Sequence, residues 1–519
     1  MLLLFVLPIA FRLALLPHSP VPPPSGSDDF GYLLLADTLL HGRFANPPHP
    51  LHRFFETIFV LQRPTYSSMF SLGQGFLLAL GTVGFKTPWA GVLLSIGALC
   101  SLCYWMLRAW ISAHWALLGG LLAVITFGPL SYWTNCYWGG AIAACAGCLV
   151  FGSLPRLRKQ PSLSNGALLG IGFGAHLLTR PFESILLLIA IAFYFVVVWR
   201  SGWARCVAPL AAASLFMCAA LLLIAFQNKQ VTGSWTTTPY MLYRYQYGVP
   251  ATFTFQSNAV PHRPLTSDQE LDYRAETAIH GEGPETAAKY VRRLLFRLRF
   301  LRFFLLPPLY AAALIFLFTA WDRRSVWVIA ALAVFALGSN FFPYFYPHYA
   351  AAVTCLLLFI AVAGLARLSV FKFGGRQPGL ALVYLIVLLC AAHFLFWYGL
   401  HAFGAPSTRA RLSVHDAWDF INYGDPEHRI AIARQLAQMP GPQLVIVHCG
   451  PLHGFHQWIH NAAEIDSAHV VWARDLGAAE NQTLLEYYSK RTAWLLDPDA
   501  WSPHLVPYAP TTKSFESVP

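Results

Sequence analysis

Apolar runs too long for a soluble core recur along this 519-residue chain. The first, MLLLFVLPIAFRLALLP, fills residues 1–17, and ten more fall at about 88–107, 113–130, 137–155, 164–179, 181–199, 206–226, 301–320, 325–342, 347–366 and 379–400. A helix rises ~1.5 Å per residue and a bilayer core is ~30 Å thick, so stretches of this length read as membrane-crossing helices, the first of them marginal at ~26 Å. No basic segment precedes that first run and no small-residue cleavage site follows it, so it is expected to be kept as a span. Only 11% of residues are charged and 56% are hydrophobic, far from the balance of a soluble domain. The expected fold is an all-α polytopic membrane protein of about eleven transmembrane helices. Leu72–Phe85, LGQGFLLALGTVGF, is shorter and glycine-rich, and is read as an interfacial or re-entrant helix.

Loop charge supports that choice. Alternate short loops carry Arg108; then Arg156, Arg158 and Lys159; then Arg200 and Arg205; then Arg323 and Arg324; then Arg367, Lys372 and Arg376. The opposite short loops carry only Arg180. The positive-inside rule makes the first set cytoplasmic, which puts residues 18–87, residues 227–300 and everything after residue 400 outside. Two domains follow: residues 1–400, a membrane domain with outer loops 18–87 and 227–300, and residues 401–519, a soluble extracytoplasmic domain. In the latter, residues 443–449, 468–473 and 492–497 read as strands and 478–491 as an amphipathic helix, a small α/β pattern. The net charge of +11 is read as loop charge beside anionic lipid; no basic aromatic motif points to nucleic acid. Most of the ten cysteines lie inside apolar runs and read as small core residues.

The first outer loop opens with PPPSGSDDFGYLLLADTLLHGRF, where Asp28 and Asp29 precede an apolar-periodic stretch. Two readings fit: acids capping a helix N-terminus, or one carboxylate made a usable base by its neighbour and by the lipid boundary. The second matters because an outer compartment holds no nucleotide pool. A transferase there takes its activated group from a membrane-borne carrier, and needs a base for the acceptor and a cationic cradle for the departing phosphate.

Taken together, DDFGYLLLADTLLHGRFANPPHP, FFETIFVLQRPTYSSMFSLGQGFLLALG, SYWTNCYWGGAIAA, LLTRPFES and YFYPHYAAAVTCLLL resemble the bacterial branch of the integral-membrane glycosyltransferases of GT-C fold, relatives of the protein O-mannosyltransferases and the aminoarabinose transferase of lipid A. The resemblance implies transfer of a sugar from a polyprenyl-phosphate donor to a glycan, lipid or protein acceptor at the outer face of the bacterial inner membrane, with no cofactor or required metal. It carries the general-base role to Asp28, with Asp29 in place of the usual Glu, orienting it. Where the family has a basic residue before the second apolar segment, this chain has SSMFSLGQG with Met69, so either another cation meets the donor phosphate or the activity is altered.

Three replacements stand out. Arg180 breaks the charge rule and is expected to meet either a lipid phosphate or Glu183. His348, in PYFYPHYAA, is either a phosphate contact or an interfacial histidine. Arg63, in LQRPTY, is either a third contact or a solvated loop residue. KYVRRLLFRLRFLRFF reads as a headgroup-level helix with Arg292, Arg293, Arg297, Arg299 and Arg302 facing lipid phosphates. His448, His453, His456 and His460 lie close in sequence, two of them at i, i+4 spacing, but zinc would also want a carboxylate or thiolate and Cys449 is not at ligand spacing. The rival to an enzyme is a non-catalytic lipid-linked-glycan binding or transport protein, which should carry charges at mid-bilayer. Among the expected spans only Arg12 does.

Overall fold

The computed structural model describes residues 1–199, 203–319, 321–373, 375–413, 428–450, 453 and 457–509. The chain is mostly helical. Its first half runs α1 Leu2–Ala14, α2 Ser27–Leu40, α3 Leu72–Phe85, α4 Pro88–Leu107, α5 Ala113–Phe127, α6 Ala141–Lys159, α7 Leu163–Thr179, α8 Pro181–Val197 and α9 Val207–Thr232. It continues through α10 Pro239–Tyr247, α11 Ser267–His280, α12 Ala287–Arg297, α13 Leu301–Phe304, α14 Leu309–Thr319, α15 Arg323–Ser339, α16 Thr354–Ser369, α17 Pro378–Phe403, α18 Pro406–Ser413, α19 Arg429–Gln438 and α20 Ala478–Tyr487.

All eleven expected runs are helical over most of their length. Five are long and apolar enough to cross a bilayer by length and composition, and six if α12 to α14, bent by 116° at its break, counts as one. The other runs form helices of at most 17 residues, such as α8, which reach only ~26 Å unless flanking residues help. The count of eleven therefore stands as eleven helical runs, five or six of them of spanning length. Leucines of α9 and α17, among them Leu215, Leu222, Leu388 and Leu395, are more than half exposed. Apolar faces of that extent suit lipid, and the molecule is a membrane protein.

Helices approach closely where small residues face one another. A Cβ on Gly166 or Gly170 of α7 would stand 2.0 Å from Pro209 O or 2.4 Å from Ala213 O of α9. This is the small-xxx-small packing of membrane helices. Gly73 does the same for α3, where a Cβ would lie 2.3 Å from Thr179 Oγ1. That contact seats the start of α3 against the last residue of α7, one position before Arg180.

Strands β1 Val60–Leu61 and β2 Ser67–Ser68 form a short hairpin in the first long loop. Near the C-terminus β3 Gln443–Val447, β4 Val470–Arg474, β5 Thr492–Leu496 and β6 Leu505–Pro507 make one sheet of order β4-β3-β5-β6, parallel except for β6. The three strands read from sequence are present within two residues. Their period-2 pattern buries both faces: Leu444, Ile446, Val471 and Ala473 pack on Phe54, Phe55 and Tyr66 of the first loop, while Val445, Val447 and Trp472 pack on Ile432 and Leu436 of α19. The sheet is thus seated on residues 18–87.

The basic helix departs from expectation. Arg292, Arg299 and Arg302 are exposed beside the exposed Leu295, Phe296 and Leu298, as an interfacial helix requires. Arg293 and Arg297 turn inward instead. Arg293 pairs with Glu285 at 2.8 Å, and Arg297 donates to the carbonyls of Ser339, Phe342 and Tyr344. Ser339 is the last residue of α15 and Phe342 and Tyr344 follow it, so these guanidinium protons bind the chain where it leaves that helix.

Candidate functional site

The two adjacent acids part company in space. Asp29 is 1% exposed and its oxygens are fully engaged: Tyr137 N–H donates to Oδ1 at 2.8 Å, Ser25 N–H to Oδ2 at 3.1 Å, and Gly26 N–H at 3.5 Å. It accepts the N-cap N–H of Gly26 at the start of α2 and ties that helix to the α5–α6 loop. Gln74 of α3 donates to the carbonyl of the same Tyr137 at 2.7 Å, so one residue is held from both sides. Asp28, one residue earlier and rotated ~100° about the helix axis, keeps part of its surface accessible.

Burial, helped by neighbouring Asp29, pushes the Asp28 carboxyl up to about 7 against the pull of Arg180, with Glu276 pushing the same way. Burial raises Asp29 to about 6, opposed by the three backbone N–H groups. Two adjacent acids thus acquire different duties, one structural and one available.

Arg180 stands between α7 and α8. Pro181 forbids the helical conformation before it, so α7 ends there and α8 begins with proline in its first turn. The Arg180 main chain is braced by His176, which accepts its N–H at 2.6 Å, and by Ser184, whose hydroxyl donates to its carbonyl at 2.9 Å. Its side chain is not braced. Nε is buried without a hydrogen-bond partner, and among the described residues no carboxylate comes within ion-pair distance. Glu183 is close enough to feel the charge but does not pair with it. The guanidinium lies 5.3 Å from the Tyr349 ring centroid, and Tyr32, Tyr132 and Asp28 share its surroundings.

His348, at the start of the segment leading into α16, is buried in the same group. Its Nδ1 is 3.2 Å from the Tyr132 hydroxyl, and its ring stacks on Tyr346 at 5.6 Å. Asp28, Arg180 and His348 are therefore brought together from α2, the α7–α8 junction and the turn before α16. Arg63 is not. It is exposed, it lies near enough to His52 to act on that ring together with Arg263, and its carbonyl accepts from Gln246 at 2.9 Å. Met69 is 3% exposed in an apolar cluster with Tyr243, Tyr247 and Val249, a place that would reject a charge.

Sequence reasoning missed the acids of α11. Glu276 and Asp272 lie beside Asp28 with Tyr240, Tyr344 and Tyr346 around them. Burial raises Glu276 to about 7 and Asp272 well above the carboxylate range. The signal was the four-residue spacing of acids in SDQELDYRAETAIH.

The remaining histidines serve the sheet region. His448 pairs with Asp475 and His453 with Asp499, each at 2.8 Å, and His460 stacks on Phe30 at 3.7 Å; His456 lies outside the described residues. Arg429 covers the same Phe30 ring at 4.2 Å, so the residue after Asp29 touches the C-terminal region on two sides. Open cavities lie elsewhere: one of about 580 Å³ at Gly441, Asp466, His469, Tyr487 and Arg491, and a cleft of about 70 Å³ at Ser131, Arg302 and His393.

No protein-family model matches this chain, and no curated protein does. Solved structures do. ArnT from Cupriavidus metallidurans in the apo state superposes with a TM-score of 0.53 at 14% identity, over 95% of this chain and 92% of that one. The same protein bound to undecaprenyl phosphate gives 0.52 at 12% identity over the same shares. The apo oligosaccharyltransferase of Archaeoglobus fulgidus gives 0.50 at 12% identity, over 95% of this chain and 69% of that one. The chain has the GT-C fold. At such identities the likeness is one of architecture, and the chemistry has to come from the residues just described.

Proposed function

We propose that this protein is a glycosyltransferase that moves a sugar from a polyprenyl-phosphate donor to an acceptor hydroxyl at the outer face of the bacterial inner membrane. One observation carries the reading: a partly accessible carboxylate that ionises near neutrality, Asp28, faces a guanidinium with no hydrogen-bond partner at Nε, Arg180, at the loop-bearing end of a GT-C helical bundle. ArnT, of the same fold, is described as bound to undecaprenyl phosphate, which supports a lipid phosphate as the anion for Arg180.

In the proposed reaction the acceptor oxygen attacks the anomeric carbon as Asp28 takes its proton. The bond from that carbon to the phosphate oxygen breaks, and the polyprenyl phosphate leaves with the electron pair, inverting the centre. Arg180 meets the growing phosphate charge with a guanidinium whose Nε has no partner among the described residues. In this scheme His348 and Tyr132, 3.2 Å apart, bond a remaining phosphate oxygen. Asp29 acts through Asp28, by fixing the first turn of α2 and the Tyr137 loop. No metal or cofactor enters this scheme. Residues 1–400 form the membrane transferase domain, and residues 401–519 a domain on the outer side, seated over α2.

The test is transfer from a panel of polyprenyl-phosphate sugars by purified protein, with Asp28→Asn beside wild type. Loss of transfer with donor binding retained supports the base role. Equal turnover removes it, and donor binding without transfer by wild type itself would return the protein to the lipid-linked-glycan carrier class.

A further inference from the structure

Helix α11 places Asp268, Asp272 and Glu276 four residues apart, so all three share one face, and all three are buried. Two of them have employment. Asp268 pairs with Arg474 at 2.7 Å and accepts the Thr266 hydroxyl at 2.6 Å and the Gln457 amide at 3.3 Å. Glu276 accepts the Ala251 N–H at 2.6 Å, with Tyr344 beside it. Asp272, between them, makes no hydrogen bond among the described residues. It is 6% exposed, and its Oδ2 is sealed from solvent without a partner.

A sealed carboxyl group with nothing to bond is costly, and nothing in the packing of α11 asks for an acid there. Its charged neighbours are Glu276, Asp28 and Asp268, all acids, so it lies close to the proposed base. Asp28 itself has Arg180 and Glu276 as neighbours. The base therefore has both a cation and the carboxyl groups of α11 among its neighbours.

An inverting displacement constrains how donor and acceptor share these neighbours, and here the argument rests on the proposed function. The leaving phosphate and the incoming hydroxyl must lie on opposite faces of the anomeric carbon. With the phosphate at Arg180, the acceptor comes from the side of α11. We propose that Asp272 and Glu276 form the acceptor subsite, and that it takes a polyhydroxylated, sugar-bearing acceptor whose hydroxyls next to the reacting one bond to the two carboxyl groups. A carboxyl group that keeps its proton both donates and accepts, which matches a hydroxyl; paired carboxyls match neighbouring hydroxyls; and Tyr344 and Tyr346 supply ring faces for the sugar's C–H side.

The test uses the full-length protein in lipid nanodiscs, an alkyl glycoside as acceptor probe and an alkanol of equal chain length as control. Binding of each is measured without donor, and transfer with it. Asp272→Leu is expected to weaken glycoside binding and raise the glycoside KM about 10- to 100-fold, with donor KM unchanged and thermal midpoint equal or higher. Asp272→Asn, which still donates and accepts, is expected to stay within about threefold of wild type. Unchanged glycoside binding in Asp272→Leu overturns the subsite. An equal loss for glycoside and alkanol overturns the hydroxyl chemistry, and a collapse in Asp272→Asn equal to that in Asp272→Leu points to a cationic acceptor and overturns it too. If wild type binds the glycoside through Asp272 but transfers nothing, the subsite stands and the transferase reading falls. If transfer needs Asp28 but ignores Asp272, the reverse holds.

Discussion

Arg12 and Arg180 border the same α5–α6 loop, yet one is saturated and the other idle. Arg12, in the last turn of α1, is fully buried and donates at 2.8 Å to Asn135 Oδ1, to the Ser19 carbonyl and to the Pro20 carbonyl, with Trp89 packed against its guanidinium at 4.9 Å. It pins the chain leaving α1 to the loop that Asp29 also holds. Arg180 has a braced main chain and an unbonded Nε. Both break the rule that membrane segments exclude charge, and the structure supplies the reason for only one of them. A buried guanidinium that binds only protein is architecture. One whose Nε has no hydrogen-bond partner among the described residues is, under the proposed function, the one that meets the phosphate.

The sharpest way to break this contrast is to remove each arginine in turn. Arg12→Met leaves three acceptors without donors at a dry junction, and a loss of about 3–5 kcal/mol of stability is expected, read as a large fall in thermal midpoint in detergent. Arg180→Met should leave the midpoint unchanged or raised, because no bond is lost, while transfer falls about 10²- to 10³-fold. If Arg180→Met melts like Arg12→Met and keeps its turnover, the idle arginine is structural after all. Arg180→Lys is expected to recover only part of the rate, since an ammonium cannot reproduce a planar fork on a phosphate.

A similar division separates Asp29 from Asp28, with smaller effects. Asp29→Asn keeps the shape but weakens three backbone hydrogen bonds, so about 1–2 kcal/mol of stability should go, with transfer reduced only as α2 shifts. Asp28→Asn should cost no stability and nearly all transfer. Thermal midpoints and turnover measured on the same preparations decide it: a variant pair that loses both properties together would merge the two roles.

How much of this could be read beforehand follows from what each pattern encodes. Apolar length and period gave the helical runs, the bounds of α3 and the three parallel strands, because burial of one face or one stripe is written in residue order. Arg180 was visible as a breach of charge asymmetry. The split between Asp28 and Asp29 was not: adjacent acids look alike in sequence, and only the angular step around α2 sends one into backbone donors and leaves the other partly accessible near Arg180. Arg293 and Arg297 misled for a related reason. Their spacing fits a lipid-facing helix, but the carbonyls that recruit them belong to α15, over forty residues away. The acids of α11 were overlooked because a long polar loop hides an amphipathic helix whose buried face is the charged one, the inverse of the usual pattern. Arg63 shows the opposite error, a cation picked for its neighbours in sequence and left exposed by the fold.

The smallest expected effect is a pH dependence, and its sign separates the two acids once more. Asp28 titrates at about 7 in the folded protein against an ordinary value of 3.8, raised first by burial. A group whose folded value is raised holds its proton longer in the native state, so its contribution to stability is whole below about pH 4 and is lost as pH rises through about 7. Asp29, raised to about 6, and Glu276, raised to about 7, act with the same sign. Stability should therefore decline gently across that window, and Asp28→Asn should flatten the upper part of the slope. Activity runs the other way, because the base is the ionised form: kcat/KM for the donor should roughly halve between about pH 8 and pH 7 and keep falling below. Asp29→Asn should retain that limb and Asp28→Asn should abolish it. A profile in wild type that is level from about pH 6 to 8 would mean that the proton leaves the acceptor by another route, and Asp28 would join Asp29 as part of the scaffold.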